Sequence, residues 1–326
     1  MTTVVEVADL GVAAFCDELF SSMTRSDQRR WAEVYVRGLV SVPGRKSIRR
    51  ICDDVVGWRA DQCLQQFLNQ SPWRWEPVRR ALAQHAVAAL QPKAWIVDDV
   101  VFPKNGGSSV GVARQYASSE RRMLNCQLGI GVFMANEHAS CAVTWRLRLP
   151  ESWDNDHVRR SRARLPEDER SLPRWQHILD VIDELAGWGC TVPPILTDAC
   201  DQRQIQPLVR GLEKRGLRYV IRVPENASMF DSLGARRVLA ETSCRRPKAK
   251  WLTNLSAIRL PELIGLVHLS HQTDRDMARL RDEFGLRHFE GRSYAGWHHH
   301  VTLVSAAHAY WTLQQLECGS DALNVV

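Results

Sequence analysis

The sequence predicts an α/β protein in which an all-helical amino-terminal region precedes a mixed sheet with flanking helices. Apolar residues recur every three to four positions through residues 10–90, as they do on one face of a helix. From Ala94 onward the pattern changes to short runs rich in β-branched and aromatic residues, and after residue 149 such runs alternate with amphipathic stretches. We therefore expect a helical domain at 1–90 and a sheet-containing domain at 91–326.

Proline and glycine divide the amino-terminal region into separate helices. The first helix carries Phe15 and Leu19 on one face, and Pro43-Gly44 ends the second helix. The basic run 45–50 opens the next helix, and a further helix occupies residues 71–89. The region therefore predicts a compact helical module with one strongly basic helix.

The second region begins with three consecutive strands and continues with alternating helices and strands. We predict strands at 95–102, 125–134, 142–149, 195–198, 217–223 and 265–269, and helices at 175–188, 202–215, 275–283 and 301–316. Ser, Arg, Pro and Lys interrupt any period between residues 225 and 269. We expect a shortened insertion there, with little regular structure beyond the strand at 265–269.

The composition narrows the classes of function. The formal net charge is +6, the sequence pI is about 8.9, and arginine dominates the basic residues. Because arginine binds phosphate oxygens through a fork of donors, this balance fits a nucleic-acid partner. The nine cysteines form no Cys-x-x-Cys pair, which predicts reduced thiols in the cytoplasm. No apolar stretch approaches the roughly 20 residues that cross a bilayer, so no membrane partner is expected.

Three motifs occur in a diagnostic order along the chain. Asp98-Asp99-Val100-Val101-Phe102-Pro103-Lys104 comes first, followed by Leu196-Thr197-Asp198-Ala199 and then by residues 288–300, which include Glu290. In this order they resemble the insertion-sequence transposases of the DDE superfamily. That resemblance implies an RNase H-like core, in which three separated carboxylates gather around metal ions. The predicted order β-β-β-α-β-α-β also matches the RNase H-like fold.

The resemblance implies a set of catalytic carboxylates that bind Mg²⁺ or Mn²⁺. Asp98 and Asp99 are neighbours on one strand and face opposite sides of the sheet, so only one of them can be the shared ligand. Asp198 follows a buried strand and corresponds to the second acid. The third acid is Asp274, which precedes Gly285-Leu286, or alternatively Glu290.

The amino-terminal sequence also resembles the helical region with which these transposases bind the ends of their DNA. The matching segments are Arg30–Leu39, Pro43–Ser47, Gln65–Leu68 and Ser71–Trp73. We expect one helix face to present four cations to phosphates of double-stranded DNA, namely Arg45, Lys46, Arg49 and Arg50. Lys104 and Arg114 follow the first acid and are expected near the scissile phosphate. A homodimer is the expected assembly.

The resemblance therefore implies metal-dependent DNA cleavage and strand transfer at the ends of a mobile element. Three positions depart from the pattern of those transposases: Val100 replaces a Thr, the Gly and Tyr that usually follow the second acid are missing after Asp198, and Asp274 replaces a Glu. These departures favour an alternative, a catalytically inactive, domesticated DNA-binding protein. A third hypothesis is that the old pocket serves a different chemistry.

Overall fold

The chain folds into ten helices and one eight-stranded sheet within the part that the structure describes. The computed structural model describes residues 2–199, 201–224, 237–241, 249–256 and 258–323. The helices are α1 (Thr2–Leu19), α2 (Ser26–Ser41), α3 (Ile48–Ile51), α4 (Asp61–Asn69), α5 (Trp75–Leu90), α6 (His157–Ala163), α7 (Arg174–Gly187), α8 (Gln202–Lys214), α9 (Leu260–Asp282) and α10 (Tyr294–Leu323). The strands are β1 (Ala94–Pro103), β2 (Ala113–Ala117), β3 (Arg122–Ala135), β4 (Ser140–Arg148), β5 (Ile195–Asp198), β6 (Tyr219–Val223), β7 (Arg237–Glu241) and β8 (Ala249–Thr253).

The sheet has the mixed topology that the sequence predicts. Its strand order is β2-β3-β1-β5-β6-β8-β7, and β4 also pairs with β3. Strand β1 runs antiparallel to β3 and parallel to β5, which in turn runs parallel to β6. The elements β1, β3, β4, α7, β5, α8 and β6 thus follow the expected RNase H-like order. The predicted fold class is confirmed, and β2, β7 and β8 are additions that the sequence analysis did not predict.

Helices cover both faces of the sheet. Helix α7 packs against β3, β4 and α8 through an apolar stripe that includes Ile178, Val181, Ile182 and Leu185. The opposite face is covered by α9, which contacts β1, β3 and β5, and by α10, which contacts β4. The carboxyl ends of β1 and β5 therefore lie between two layers of helices.

Helix α10 joins the amino-terminal helices to the sheet. Every residue from Gly296 to Tyr310 is buried, and the helix contacts α2, α4, α5 and α9 in addition to β4. A helix that is buried on all sides belongs to the centre of a core. The buried side chains of the amino-terminal helices and of the sheet accordingly form one continuous cluster. The division into domains at residue 90 stays a prediction.

One predicted strand is wrong. Residues 265–269 lie inside α9, which begins at Leu260 with Pro261 in its first turn. Proline is favoured at this position because the first helical residues need no backbone N–H partner. A short, mainly apolar run such as 265–269 does not by its period distinguish a strand from a buried helix. Residues 225–236, 242–248 and 257 of the predicted insertion lie outside the described residues.

No helix in the described ranges has both the length and the apolar character that a membrane crossing requires.

Candidate functional site

Asp98 and Asp99 lie next to each other on β1 and face opposite sides of the sheet. Asp99 faces α7, where its Oδ1 accepts a hydrogen bond of 2.8 Å from Nε of Arg174. Nη1 of Arg148 lies 3.8 Å from the other carboxylate oxygen, and the Asp99 side chain is only 8% exposed. Asp99 is therefore the buried partner of two arginines, which argues against Asp99 as the metal ligand.

Arg174 connects the two central strands from behind the acids. Its side chain is buried, and besides Asp99 it donates to the backbone oxygen of Asp198 at 2.6 Å and to Oγ1 of Thr197 at 3.4 Å. The sequence analysis missed this residue. A signal was nevertheless present, because Arg174 is the first residue of α7 and a cation is unfavourable at the positive end of a helix dipole.

Asp98 lies on the face of β1 that is opposite to Arg174. Its carboxyl group is partly buried, and its Oδ1 accepts a hydrogen bond of 2.8 Å from the backbone N–H of Asp99. Burial raises the pKa of Asp98 to about 7, and the negative charges of Asp99 and Asp274 act in the same direction. Asp98 thus lies in an environment that disfavours its negative charge in the absence of a cation.

The strand register brings Asp198 next to Asp98. Val97 on β1 is the partner of Thr197 on the parallel strand β5, so the residues that follow are also neighbours and share one face of the sheet. Adjacent strands lie ~4.8 Å apart. The Asp198 carboxylate is 41% exposed, and Nη1 of Arg222 on β6 lies 3.9 Å from it. Both acids are therefore near the carboxyl end of β5.

Asp274 is the third acid on this face of the sheet. It belongs to α9, which packs across β1, β3 and β5, and its charge contributes to the raised pKa of Asp98. The side chain is 70% exposed, and Nδ1 of His271 lies 3.9 Å from its carboxylate. Of the two predicted third acids, Asp274 is the one that influences Asp98 electrostatically.

Glu290 has a different environment. It forms an ion pair with Arg45. Its negative charge acts to raise the pKa of Lys104, but burial has the larger effect and lowers that pKa. Lys104 follows Asp98 by six positions in an extended chain, which corresponds to ~20 Å. The structure therefore groups Glu290 with the basic residues beyond the end of β1.

A divalent ion fits part of this arrangement. Mg²⁺ prefers oxygen ligands, and Asp98 and Asp198 offer carboxylates on the same face of neighbouring strands. Within the ranges that the structure describes, however, no three His, Cys, Asp or Glu side chains are grouped closely enough to hold a metal ion. The pair therefore fits a shared cation, and a third carboxylate at bonding distance is not formed among those residues.

The comparison with protein families decides the identity of the chain. Residues 18–276 match the sequence profile of the DDE superfamily endonuclease family. The chain belongs to this family. The matched range includes Asp98, Asp198 and Asp274 and ends before Glu290. No curated protein matches the chain. Among solved structures, a piggyBac transposase in a synaptic complex with hairpin DNA is similar with a TM-score of 0.48 at 8% identity, over 96% of this chain and 73% of that chain.

Two clefts meet at residues 288–292. The larger has a volume of about 630 Å³ and lies between α3, α4, α6 and the segment 288–293. Its basic lining residues are Lys46, Arg49, Arg162, Arg164 and Arg292. The smaller, of about 430 Å³, is lined by Arg45, Lys104, Arg287 and Arg292 among others. Asp61 and Glu290 also line the clefts, so both signs of charge are present and the cations are in excess.

The four predicted cations do not share one exposed helix face. Helix α3 begins at Ile48, so of the four predicted cations only Arg49 and Arg50 belong to it. Lys46 is buried, and its ammonium group donates to the backbone oxygen of Val42.

The turn at Gly285 packs against the Lys46 side chain. It has a φ of +72°, and a Cβ there would lie 2.6 Å from Cγ of Lys46, so this close approach requires glycine.

Lys104, which we expected near the scissile phosphate, forms a contact within the protein. Its Nζ donates to the backbone oxygen of Phe289 at 2.6 Å, and burial lowers the pKa of its ammonium group. Lys104 therefore fixes the segment between the two clefts. Arg114 is exposed on β2, opposite Asn125 of β3. Arg162 and Arg164 of the larger cleft were not among the cations predicted from the sequence.

The three consecutive histidines of α10 are structural. His298 stacks on Trp75 with ring centroids 4.5 Å apart, and His299 stacks on Trp73 at 3.9 Å. His300 contacts the hydroxyl of Tyr35 at 2.9 Å through its Nδ1. Burial lowers the pKa of His299 to about 4 and that of His300 to about 3. Neutral rings therefore hold α10 against the amino-terminal helices.

Proposed function

We propose that this DDE endonuclease cleaves double-stranded DNA and transfers the cut strand, as an insertion-sequence transposase does, with Mg²⁺ or Mn²⁺ as its cofactor. The observation that carries the proposal is the register of β1 and β5, which makes Asp98 and Asp198 neighbours on one face of the sheet. Membership in an endonuclease family supports the same reaction class.

We assign the metal ligands to Asp98 and Asp198, with Asp274 as the third carboxylate. A bound divalent ion supplies a Lewis acid for attack on the phosphodiester and for departure of the leaving oxygen. Two like charges on adjacent strands repel each other, and a cation between them removes that repulsion. Arg174 supports the site from behind, because its bonds to Asp99 and to the Asp198 backbone hold β1 and β5 in register.

The same proposal assigns the basic clefts to the DNA backbone. Arg49 on α3 and, at the carboxyl end of α6, Arg162 and Arg164 line one cavity. Arginine forms bidentate hydrogen bonds with phosphate oxygens, so a row of arginines can follow successive phosphates without reading the bases. Binding of this kind releases counterions and weakens steeply with salt.

A second candidate function is DNA binding without cleavage. It is favoured by the absence, among the described residues, of a group of three side chains able to hold a metal ion. The ion pair between Asp198 and Arg222 also supplies the carboxylate with a cation of the protein itself. Under this alternative the basic clefts still bind DNA, and Asp98, Asp198 and Asp274 no longer form a catalytic metal site.

Nicking of a supercoiled plasmid in Mg²⁺ or Mn²⁺ tests the proposal. The wild type is expected to nick, while Asp98→Asn and Asp198→Asn lose the activity and still bind DNA in a mobility-shift assay. Asp183→Asn is the matched control, because this acid lies on the surface of α7 in an ion pair with Arg215. It should nick like the wild type.

The outcomes separate the two candidates. Nicking by Asp98→Asn and Asp198→Asn at the wild-type rate would show that these acids are not the site. DNA binding by the wild type with no nicking in either ion would establish the binding-only alternative. Loss of activity in the Asp183→Asn control would show that the assay reports folding defects.

A further inference from the structure

The hairpin formed by β2 and β3 carries an exposed apolar pair on its outer face. Tyr116 and Met123 are direct cross-strand partners, and they are 57% and 51% exposed. Side chains of directly opposed residues lie within contact distance of each other on one face of a sheet. The pair therefore presents a continuous apolar surface to solvent, which is unusual in a strand whose outer face is otherwise polar.

Cations surround this pair. The neighbouring cross-strand pair on the same face is Arg114 with Asn125, and both residues are exposed. Arg121 is exposed at the turn, two positions before Met123. No ion pair with a carboxylate is formed by Arg114 or Arg121 among the residues that the structure describes. The outer face thus combines an aromatic ring, a flexible thioether and two guanidinium groups.

A small apolar cluster packs against the inner face of the hairpin. On its inner face, Ala117 and Cys126 are fully buried with Val101 and Leu128 in a small apolar cluster, against which Leu124 packs. This cluster holds the two strands in place independently of the outer residues. The exposed pair is therefore displayed on a rigid element rather than on a loose loop.

Alternation along β3 relates this face to the candidate active site. Gly131 is the partner of Asp98, and Met123 is eight positions away on the same strand, so both belong to the same face of the sheet. At ~3.3 Å per residue the separation is about 26 Å. Between them on this face Gln127 is fully buried and Gly129 lies under Trp297 of α10, so the hairpin and the acids form separate surfaces.

We propose that the outer face of this hairpin is a second DNA contact, in which Tyr116 and Met123 insert at an unstacked base step. Arg114 and Arg121 bind the flanking phosphates. Apolar side chains that insert between base steps unstack and bend a duplex, and aromatic rings stack on exposed bases. The inference rests on the proposed function, because it takes DNA as the ligand.

The charges favour DNA over a protein partner or a second copy of the chain. A protein surface that covered Arg114 and Arg121 would have to supply carboxylates to two desolvated guanidinium groups. DNA supplies phosphates at regular spacing on either side of every base step.

The test compares binding to a 30-base-pair duplex with binding to the same duplex carrying one central A·A mismatch. An unpaired step costs less to unstack, so an inserting side chain prefers it. The wild type is expected to bind the mismatched duplex about ten-fold more tightly, which corresponds to ~1.4 kcal/mol. A 2-aminopurine next to the mismatch should brighten on binding.

The double variant Tyr116→Ala, Met123→Ala should lose both the preference and the brightening. Tyr116→Phe with Met123→Leu is the matched control, since it keeps a ring and an apolar side chain of similar size and should retain both. Arg49→Ala should weaken binding to the two duplexes equally and leave their ratio unchanged. Each substituted side chain is exposed, so circular dichroism should show unchanged folds.

The outcomes also distinguish this inference from the proposed function. A preference retained by the alanine double variant overturns the hairpin contact, as does a wild type that binds both duplexes equally. In either case the basic clefts and the proposed cleavage stand. A wild type that binds neither duplex overturns the proposed function together with the inference.

Discussion

Replacing Arg174 with Met is expected to lower the free energy of unfolding by about 3–5 kcal/mol, because it breaks a buried ion pair. The guanidinium donates to the Asp99 carboxylate at 2.8 Å and to the backbone oxygen of Asp198 at 2.6 Å. A hydrogen bond to a charged group contributes ~1.5–3 kcal/mol, so two such bonds account for the expected loss. The variant also leaves the carboxylate of Asp99 buried, with the guanidinium of Arg148 3.8 Å away.

Urea denaturation followed by tryptophan fluorescence measures this loss. A double-mutant cycle with Asp99→Asn isolates the interaction, and we expect a coupling free energy of about 2 kcal/mol. Arg215→Met is the matched control, because Arg215 forms an equally short, two-bond ion pair with Asp183 on the surface. An exposed pair contributes ~0–1 kcal/mol, so the control should remain close to the wild type.

A small effect of Arg174→Met would refute this reasoning. If the variant lost no more than Arg215→Met, the contacts behind β1 and β5 would not hold the strands in register. A coupling free energy near zero would show that Asp99 and Arg174 act independently, whatever the size of the single losses.

Three further predictions concern acid stability, salt and catalysis. Because burial lowers the pKa of His300 to about 3 while the unfolded chain takes up this proton near pH 6.5, stability should fall between pH 6.5 and 3. His300→Gln should reduce that slope in urea titrations by about 1.4 kcal/mol per pH unit. Arg49→Ala and Arg162→Ala should each lower the slope of log Kd against log salt by about one, measured by fluorescence anisotropy. Asp274→Glu should raise plasmid nicking, more in Mn²⁺ than in Mg²⁺, because a longer side chain reaches further and Mn²⁺ tolerates imperfect geometry; lower activity would contradict Asp274 as the third ligand.

The central strands and their acids could be predicted because local sequence determines them. A buried run that contains two acids predicts β1, a buried run that ends in an acid predicts β5, and the predicted bounds of β5 agree with the structure. Two parallel strands with acids at matching points then bring Asp98 and Asp198 together. The choice between Asp98 and Asp99 required the structure, because it depends on Arg174, which lies 75 residues further along the chain.

The parts that could not be predicted depend on contacts between distant segments. The local sequence around Lys46 predicts an exposed cation. In the folded chain Lys46 is buried, because the Gly285 turn packs on it. Residues 265–269 have a composition that suits a strand, yet they extend α9, since Leu263 and Val267 lie one helical turn apart and are both buried. Arg162 and Arg164 become cleft residues only in the folded chain, where the end of α6 and the distant segment 288–293 line the same cavity.

The central position of α10 has a consequence for synthesis. A ribosome releases the amino-terminal helices and all eight strands before α10 emerges, yet these elements pack on a helix that is buried from Gly296 to Tyr310. Until then, apolar surfaces of α2, α5 and β4 lack their partner and are exposed to chaperones. Any premature stop upstream of Tyr294 therefore yields a chain that cannot complete its core, so only a translation product that extends through α10 can acquire this fold.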